Sequence, residues 1–362
     1  MREENGTGPE YSGEEAVLPP AGSFILSPSP HVLGGETIRG IMLKVLCCLM
    51  PAAAASVCVF GFNAVRVLFW CAAFCVLFEC LWCLLMRKPQ SVGDLSAVLT
   101  GVLLALNLPA GVPWWICAVG AFVAVIVAKQ VFGGLGQNPF NPAATARVAL
   151  LVGFAGPMTT WEKIPSPHFD FLTSATPLSA AKLAAGTDRA APVFEALESA
   201  ECLTESFIGY VGGSLGETSA LAILLGGAGL IAAKLIKWQI PAGMLGAAAV
   251  FTGIVHLADP ALTPGPLFHL MSGGMMLGAF FMATDMVTSP MSRAGAFFFG
   301  VMTGLIACAI RIWGSYPEGI SFAILIMNAL VPLIDRVFTK RRPSSWISMS
   351  ASSLHVRRGE VK

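Results

Sequence analysis

The sequence predicts an all-α integral membrane protein with about ten transmembrane helices, and three observations carry that expectation. Of its 362 residues, 55% are hydrophobic and only 12% are charged, whereas soluble domains hold about a quarter charged residues. The mean hydropathy is +0.73. The apolar residues also fall in long runs rather than in an alternating pattern, which suits lipid-facing helices. A chain so poor in charge cannot cover a globule with polar surface. Its net charge of +1 creates no field that would draw in an anionic polymer. Together these features exclude a secreted disulfide scaffold, a disordered chain and a nucleic-acid binder.

The elements follow in chain order. Residues 1–37 are polar and rich in Pro and Gly, with no short apolar run beside a cleavage site, and read as a cytoplasmic N-terminal arm. Segments 41–60 and 64–86 have full spanning length. Segments 95–108 and 141–156 are shorter, and Pro109, Pro139 and Pro142 lie at their ends. Such segments suit broken or half-length helices packed inside a bundle. Segment 112–132 lies between them. Residues 157–216 form a polar loop with three basic side chains against seven acidic ones. Segments 217–236, 241–257, 266–283, 294–313 and 319–338 follow, and a basic tail, 339–362, ends the chain.

The loop divides the chain into a first five-helix repeat, 38–156, and a second, 217–338. An odd number of spans per half requires opposite topology, so a repeat would be inverted. Leu99-Thr100-Gly101 matches Met271-Ser272-Gly273, each expected to open a short helix, and Asn138-Pro139 matches Tyr316-Pro317. Orientation follows from the basic residues. Arg39, Arg87, Lys88, Lys129, Lys234, Lys237, Arg293 and Lys340-Arg341-Arg342 fall on one side, which predicts cytoplasmic termini and an extracytoplasmic acidic loop.

Several residues are candidates for chemistry. Eight of the ten cysteines precede residue 120, and Cys80 and Cys83 form a C-x-x-C. A second C-x-x-C is missing, and thiols on one apolar helix serve as small hydrophobes. Ionisable residues inside apolar segments are costly and tend to mark ion paths. Glu79 and Asp335 are the candidates here, beside Asp285 and Arg147, each also readable as a structural ion pair or an end residue. His256 and His269 read as interfacial. In the acidic loop, Asp170-Phe171-Leu172-Thr173-Ser174-Ala175-Thr176-Pro177 places Thr176 before a proline, which favours extended backbone. Its hydroxyl is expected to be exposed to a modifying enzyme, with Asp170 orienting it or holding a divalent metal. Gly212-Gly213-Ser214 precedes Glu217 with the spacing of a capping box. The same glycines would let a phosphate or flat ring approach a helix N-terminus.

These stretches together resemble one family. Asp170–Thr176 is similar to a flavinylation motif, D-x-x-[S/T]-G-A-T, with Ser174 where glycine is usual. Ser27-Pro28-Ser29-Pro30-His31, the run from Ala128 to Pro142, Gly212–Ser219, Phe281-Met282-Ala283-Thr284-Asp285 and Tyr316-Pro317-Glu318-Gly319 resemble the same family. It is that of the D subunit of the Rnf complex, an ion-translocating ferredoxin:NAD oxidoreductase. The B subunit of the sodium-translocating NADH:quinone reductase is a more distant likeness.

The resemblance implies two inverted five-helix repeats, urea-transporter-like, in a bacterial inner membrane. It implies FMN bound covalently through a phosphoester to Thr176, with Asp170, Ser174, Ala175, Gly212, Gly213 and Ser214 around it. It also implies riboflavin held non-covalently near the cytoplasmic side by Asn138 and Asn141. The partners implied are the other Rnf subunits, a magnesium-dependent flavin transferase and membrane lipid. The competing expectation is an inverted-repeat solute channel or transporter, which has no use for a flavin attachment site.

Overall fold

Helix starts written into the sequence explain much of the architecture. A computed structural model describes residues 37–162 and 176–338, and every regular element among them is helical. Helix α1 spans Ile38–Phe60 and α2 spans Phe62–Leu85. Gly61 between them has φ +59°, a turn that a side chain would strain. Helix α3 covers Ser96–Leu106, and α4, Trp114–Phe122, runs on as a π-helical stretch, Val123–Gln130. Helix α5, Pro142–Gly153, begins where the Asn141 side chain accepts from the Ala144 amide at 3.1 Å. Proline at the first helical position completes that start. A single turn, α6 (Ala155–Thr159), follows.

The chain continues from residue 220 with helices of varied length. Helix α10 is Ala220–Ala232 and α11 is Gln239–Ala258. A broken segment follows, made of α12 (Pro266–Met271), α13 (Met275–Leu277) and a π-helical stretch, Gly278–Met282. Helices α14, Arg293–Trp313, and α15, Ile320–Phe338, complete the half. Five helices (α1, α2, α11, α14 and α15) are long and apolar enough to cross a membrane. The others are shorter apolar helices, in keeping with the short apolar segments of the sequence.

The packing pattern is alike in both halves. Helix α2 packs on α3 and α4, and α4 on α5; α11 packs on α12 and α14, and α14 on α15. The halves meet where α1 touches α10 and α5 touches α15. Small residues allow the tightest contact. A Cβ on Gly300 or Gly304 would lie 2.4 Å from the Ile240 or Met244 carbonyl oxygen. This is the close backbone approach that glycines spaced by four give in lipid, where dispersion replaces the hydrophobic drive.

Three expectations are corrected. Leu99-Thr100-Gly101 lies within α3 rather than opening it, and the Thr100 hydroxyl bonds the Ser96 carbonyl at 2.9 Å. Met271-Ser272-Gly273 instead interrupts a helix, because Gly273 takes φ +68°. The stretch 157–216, expected as a polar loop, holds three further helices: α7 (Pro177–Ala184), α8 (Ala190–Glu198) and α9 (Ala200–Ile208). Leu178, Ala181, Phe194, Leu197 and Cys202 form a small core there with Phe268 of α12. Charges between these apolar residues dilute the hydropathy of any long window, so spanning-length averages hide short amphipathic helices. The N-terminal arm up to residue 36, and the basic tail, lie outside the described residues.

Candidate functional site

Thr176 is the N-cap of α7. Its backbone is extended (φ −67°, ψ 154°), as a residue before proline should be. Its Oγ1 accepts from the Ser179 amide at 3.2 Å and lies 2.8 Å from the Ser179 hydroxyl. The expectation of an exposed hydroxyl is corrected: Thr176 is 7% exposed. Burial arises because α7 is pinned to the bundle. Lys182, on the same helix, donates to the Ile310, Arg311 and Tyr316 carbonyls at 3.3, 3.0 and 2.9 Å. Two of these are last-turn carbonyls of α14, which a cation compensates well. Burial pulls the Lys182 ammonium below its ordinary range.

Thr176 lines two neighbouring cavities. The larger, about 530 Å³, is walled by Asn107, Arg147, Met158, Trp161 and Tyr316. The smaller, about 270 Å³, is bounded by Ser206, Gly212, Met271, Ser272 and Gly273. Thr176, Leu178 and Glu217 border both. Gly213 lies against the Glu217 carboxylate, which a Cβ would approach to 2.9 Å. That carboxylate also accepts from the Ser214 amide at 3.4 Å. Asp170, Ser174 and Ala175 lie outside the described residues.

A buried ionic cluster ties the halves together beside these cavities. Arg147 of α5 pairs with Glu217 at 3.2 Å and with Glu318, and donates to the Asn107 carbonyl at 2.7 Å. Glu318 also accepts from the Gly274 amide. Arg311 donates to the His269 and Ser272 carbonyls at 2.7 and 3.0 Å. Two guanidinium groups thus neighbour two carboxylates, each held by directed hydrogen bonds.

A third cavity, about 840 Å³, lies at the opposite ends of α3 and α5. Asn138, Asn141, Thr284, Asp285, Phe281 and Lys129 are among its walls. The Asn141 side chain caps α5 and donates to the Met282 carbonyl at 2.9 Å, joining the halves here too. Asn138 donates to the Phe140 carbonyl at 3.1 Å.

Glu79 and Lys129 form a fully buried pair on the same side. Lys129 Nζ lies 3.0 Å from Glu79 Oε2 and 2.6 Å from Ser96 Oγ. Ser91 and Gln130 donate to Glu79 at 2.6 and 3.2 Å. Lys129, which the sequence places among interfacial basic residues, is thus a buried partner. Removing one member of such a pair strands the other. Lys129→Met is expected to destabilise the protein by about 3 kcal/mol, since Ser91 and Gln130 still serve Glu79. Adding Glu79→Gln should recover most of that loss; denaturant unfolding of the two variants in detergent checks it. The Oδ1 atom of Asp335, near the end of α15, accepts from the Met291 amide at 2.9 Å.

Sequence reasoning does not find the partners of these charges or the cavity walls. Glu217 and Glu318 stand inside the family-like motifs, and Arg147 is visible as an intramembrane charge. Signs of opposite charge are therefore present, without the pairing. Nothing in the sequence marks Trp161 or Met158, and Ser272 stands out there only within the repeat-like stretch Met271-Ser272-Gly273. Among the described residues, no cluster of three or more His, Cys, Asp or Glu is placed to hold a metal ion.

A family model described as the NQR2, RnfD, RnfE family matches residues 25–343. The chain is 43% identical over 322 residues to the D subunit of the Na(+)-translocating ferredoxin:NAD(+) oxidoreductase complex of Acetobacterium woodii, covering 88% of this chain and 95% of that one. It is 41% identical over 314 residues to the D subunit of the proton-translocating ferredoxin:NAD(+) oxidoreductase complex of Clostridium ljungdahlii, with 86% and 94% covered. Identity to the D subunit of the ion-translocating oxidoreductase complex of Stutzerimonas stutzeri is 43% over 331 residues, with 84% and 92% covered.

Proposed function

The chain belongs to the NQR2, RnfD, RnfE family, and from that premise we propose that it is the membrane flavoprotein subunit of an ion-translocating ferredoxin:NAD oxidoreductase. It carries FMN in phosphoester linkage to Thr176 and passes electrons between partner subunits while the complex moves Na+ or H+. The observation that carries this reading is Thr176 itself. Its hydroxyl stands on a helix cap at the meeting of two cavities, one of them walled by Trp161 and Tyr316. An aromatic-walled cavity beside an attachable hydroxyl suits a tethered flat ring. It gives no evident service to a solute channel.

The residues present fit the group. Trp161 and Tyr316 would flank the ring, Asn107 and Arg147 offer polar groups on its wall, and Thr176 anchors the chain. FMN supplies the electron chemistry when bound, and the protein positions it and sets its surroundings. Arg147 is locked by Glu217 and Glu318, so its charge near the ring is fixed in place. The third cavity, with Asn138 and Asn141 on its wall, is the place for non-covalent riboflavin; these two amides and Thr284 offer it polar groups. Glu79 and Asp335 remain the ion-path candidates.

The same reading includes about ten spans in two inverted repeats, supported by the matching contacts α2–α3–α4 and α11–α12–α14. Both termini lie in the cytoplasm of a bacterial inner membrane, and the Thr176 end faces outward. Other subunits of the complex and a flavin transferase are the partners. Coexpression of the full chain with a flavin transferase, followed by denaturing electrophoresis, tests the reading. A yellow-green fluorescent band is expected; a dark band from fully processed protein would contradict it.

A further inference from the structure

We propose that the smaller cavity beside Thr176 is a phosphate pocket, in which Ser272, Ser179 and the N-terminus of α7 hold the phosphodiester while the ring occupies the larger cavity. This rests on the reading that Thr176 carries FMN, and it divides the two cavities between the two ends of that group.

Four observations converge on the smaller cavity. The Ser272 hydroxyl is buried on its wall, and the residue is 6% exposed. That oxygen has no hydrogen-bond partner among the described residues. A buried hydroxyl without a partner costs about 1–3 kcal/mol, so a donor left waiting there points to a missing acceptor. Second, α7 begins at the same cavity with Thr176 as its cap, and its Ser179 amide donates to the attachment oxygen at 3.2 Å. A helix N-terminus of this kind favours an anion. Third, the Ser179 hydroxyl lies 2.8 Å from Thr176 Oγ1, within reach of any group esterified there. Fourth, glycine stands at two wall positions. A Cβ at Gly212 would enter open space, and Gly273 holds its turn with φ +68°. The wall is therefore low at Gly212, while a Cβ at Gly273 would meet Arg311 Nη2 at 2.9 Å and Glu318 Oε1 at 3.2 Å.

Charge is accounted for on the far side. Glu217 borders the pocket, and an unpaired carboxylate there would repel a phosphodiester. Its partner Arg147, 3.2 Å away and shared with Glu318, offsets part of that charge. The larger cavity has the opposite character, since Trp161, Met158 and Tyr316 offer flat or polarisable walls to a ring. Thr176 stands at the border because it must serve both.

The test separates charge from shape at Ser272. The full chain is coexpressed with a flavin transferase as wild type, Ser272→Asn and Ser272→Asp. Covalent flavin per protein and the fluorescence anisotropy of that flavin are then read in detergent. Asparagine and aspartate differ by little in shape, but aspartate sets a second negative charge against the phosphodiester. Ser272→Asn, which removes the hydroxyl but keeps a hydrogen-bond donor, should lose markedly less of both readouts than Ser272→Asp. Ser272→Asp should lose about tenfold in flavin content, which corresponds to about 1.4 kcal/mol, or carry a flavin whose anisotropy falls to that of a freely rotating tether. Equal values for the two variants, whether both high or both low, would overturn the phosphate pocket while leaving the FMN reading standing. A dark wild type would overturn the FMN reading, and the pocket with it.

Discussion

Replacing Thr176 with valine should abolish covalent flavin and reduce ferredoxin:NAD activity of the assembled complex to background. Valine keeps the branched shape of threonine and removes only the hydroxyl, so the attachment atom is the single thing lost. The folded state should survive, because the lost cap costs about 1 kcal/mol and the Lys182 anchor on α14 remains. Thr176→Ser restores both the hydroxyl and the cap, and should restore the flavin at least in part. Absorbance of the denatured, washed protein measures the outcome. Flavin retained at wild-type level in Thr176→Val would place the attachment elsewhere.

Arg147→Met should be the most destabilising single change among the charged residues. It removes the cation paired with both Glu217 and Glu318, which lie largely buried side by side. Removing one partner of a buried ion pair costs about 3–5 kcal/mol, a large part of a typical folding free energy. The bond also crosses from the first half to the second, so its loss loosens the junction that carries the Thr176 cavities. Lysine is no substitute. A compact ammonium lacks the wide planar fork by which separate guanidinium nitrogens reach the Asn107 carbonyl and the two carboxylates. The combination of Arg147→Met with Glu217→Gln and Glu318→Gln should recover much of the loss, since neither carboxylate then remains as a buried charge without its Arg147 partner. Thermal unfolding in detergent checks both expectations; a single variant as stable as wild type would contradict the buried cluster.

The helical bundle is legible in the sequence because lipid demands long apolar runs, and those runs are visible without any partner. The start of α5 is legible for the same local reason, since Asn141-Pro142 places a capping oxygen directly before a proline; Thr176-Pro177 has the same form but reads as loop in the sequence. The helices of residues 177–208 are not legible, because each buries only a few side chains among charges. The pairings are also hidden. Glu79 and Lys129 are 50 positions apart, and Arg147 and Glu318 are 171 apart. Periodicity reports on one helix at a time and says nothing about such contacts. For the candidate site, Thr176 is found by its motif, but its burial and the walls around it depend on α7 docking against α12 and α14. Ser272 becomes visible only as an unpartnered hydroxyl.

Mass spectrometry of the proteolytic peptide containing Thr176, taken from protein matured with a flavin transferase, tests the central claim most directly. The account predicts that this peptide gains the mass of FMN less one water, with fragmentation placing the addition on Thr176. An unmodified Thr176 peptide, from protein whose covalent flavin is recovered on another residue or is missing, would contradict it.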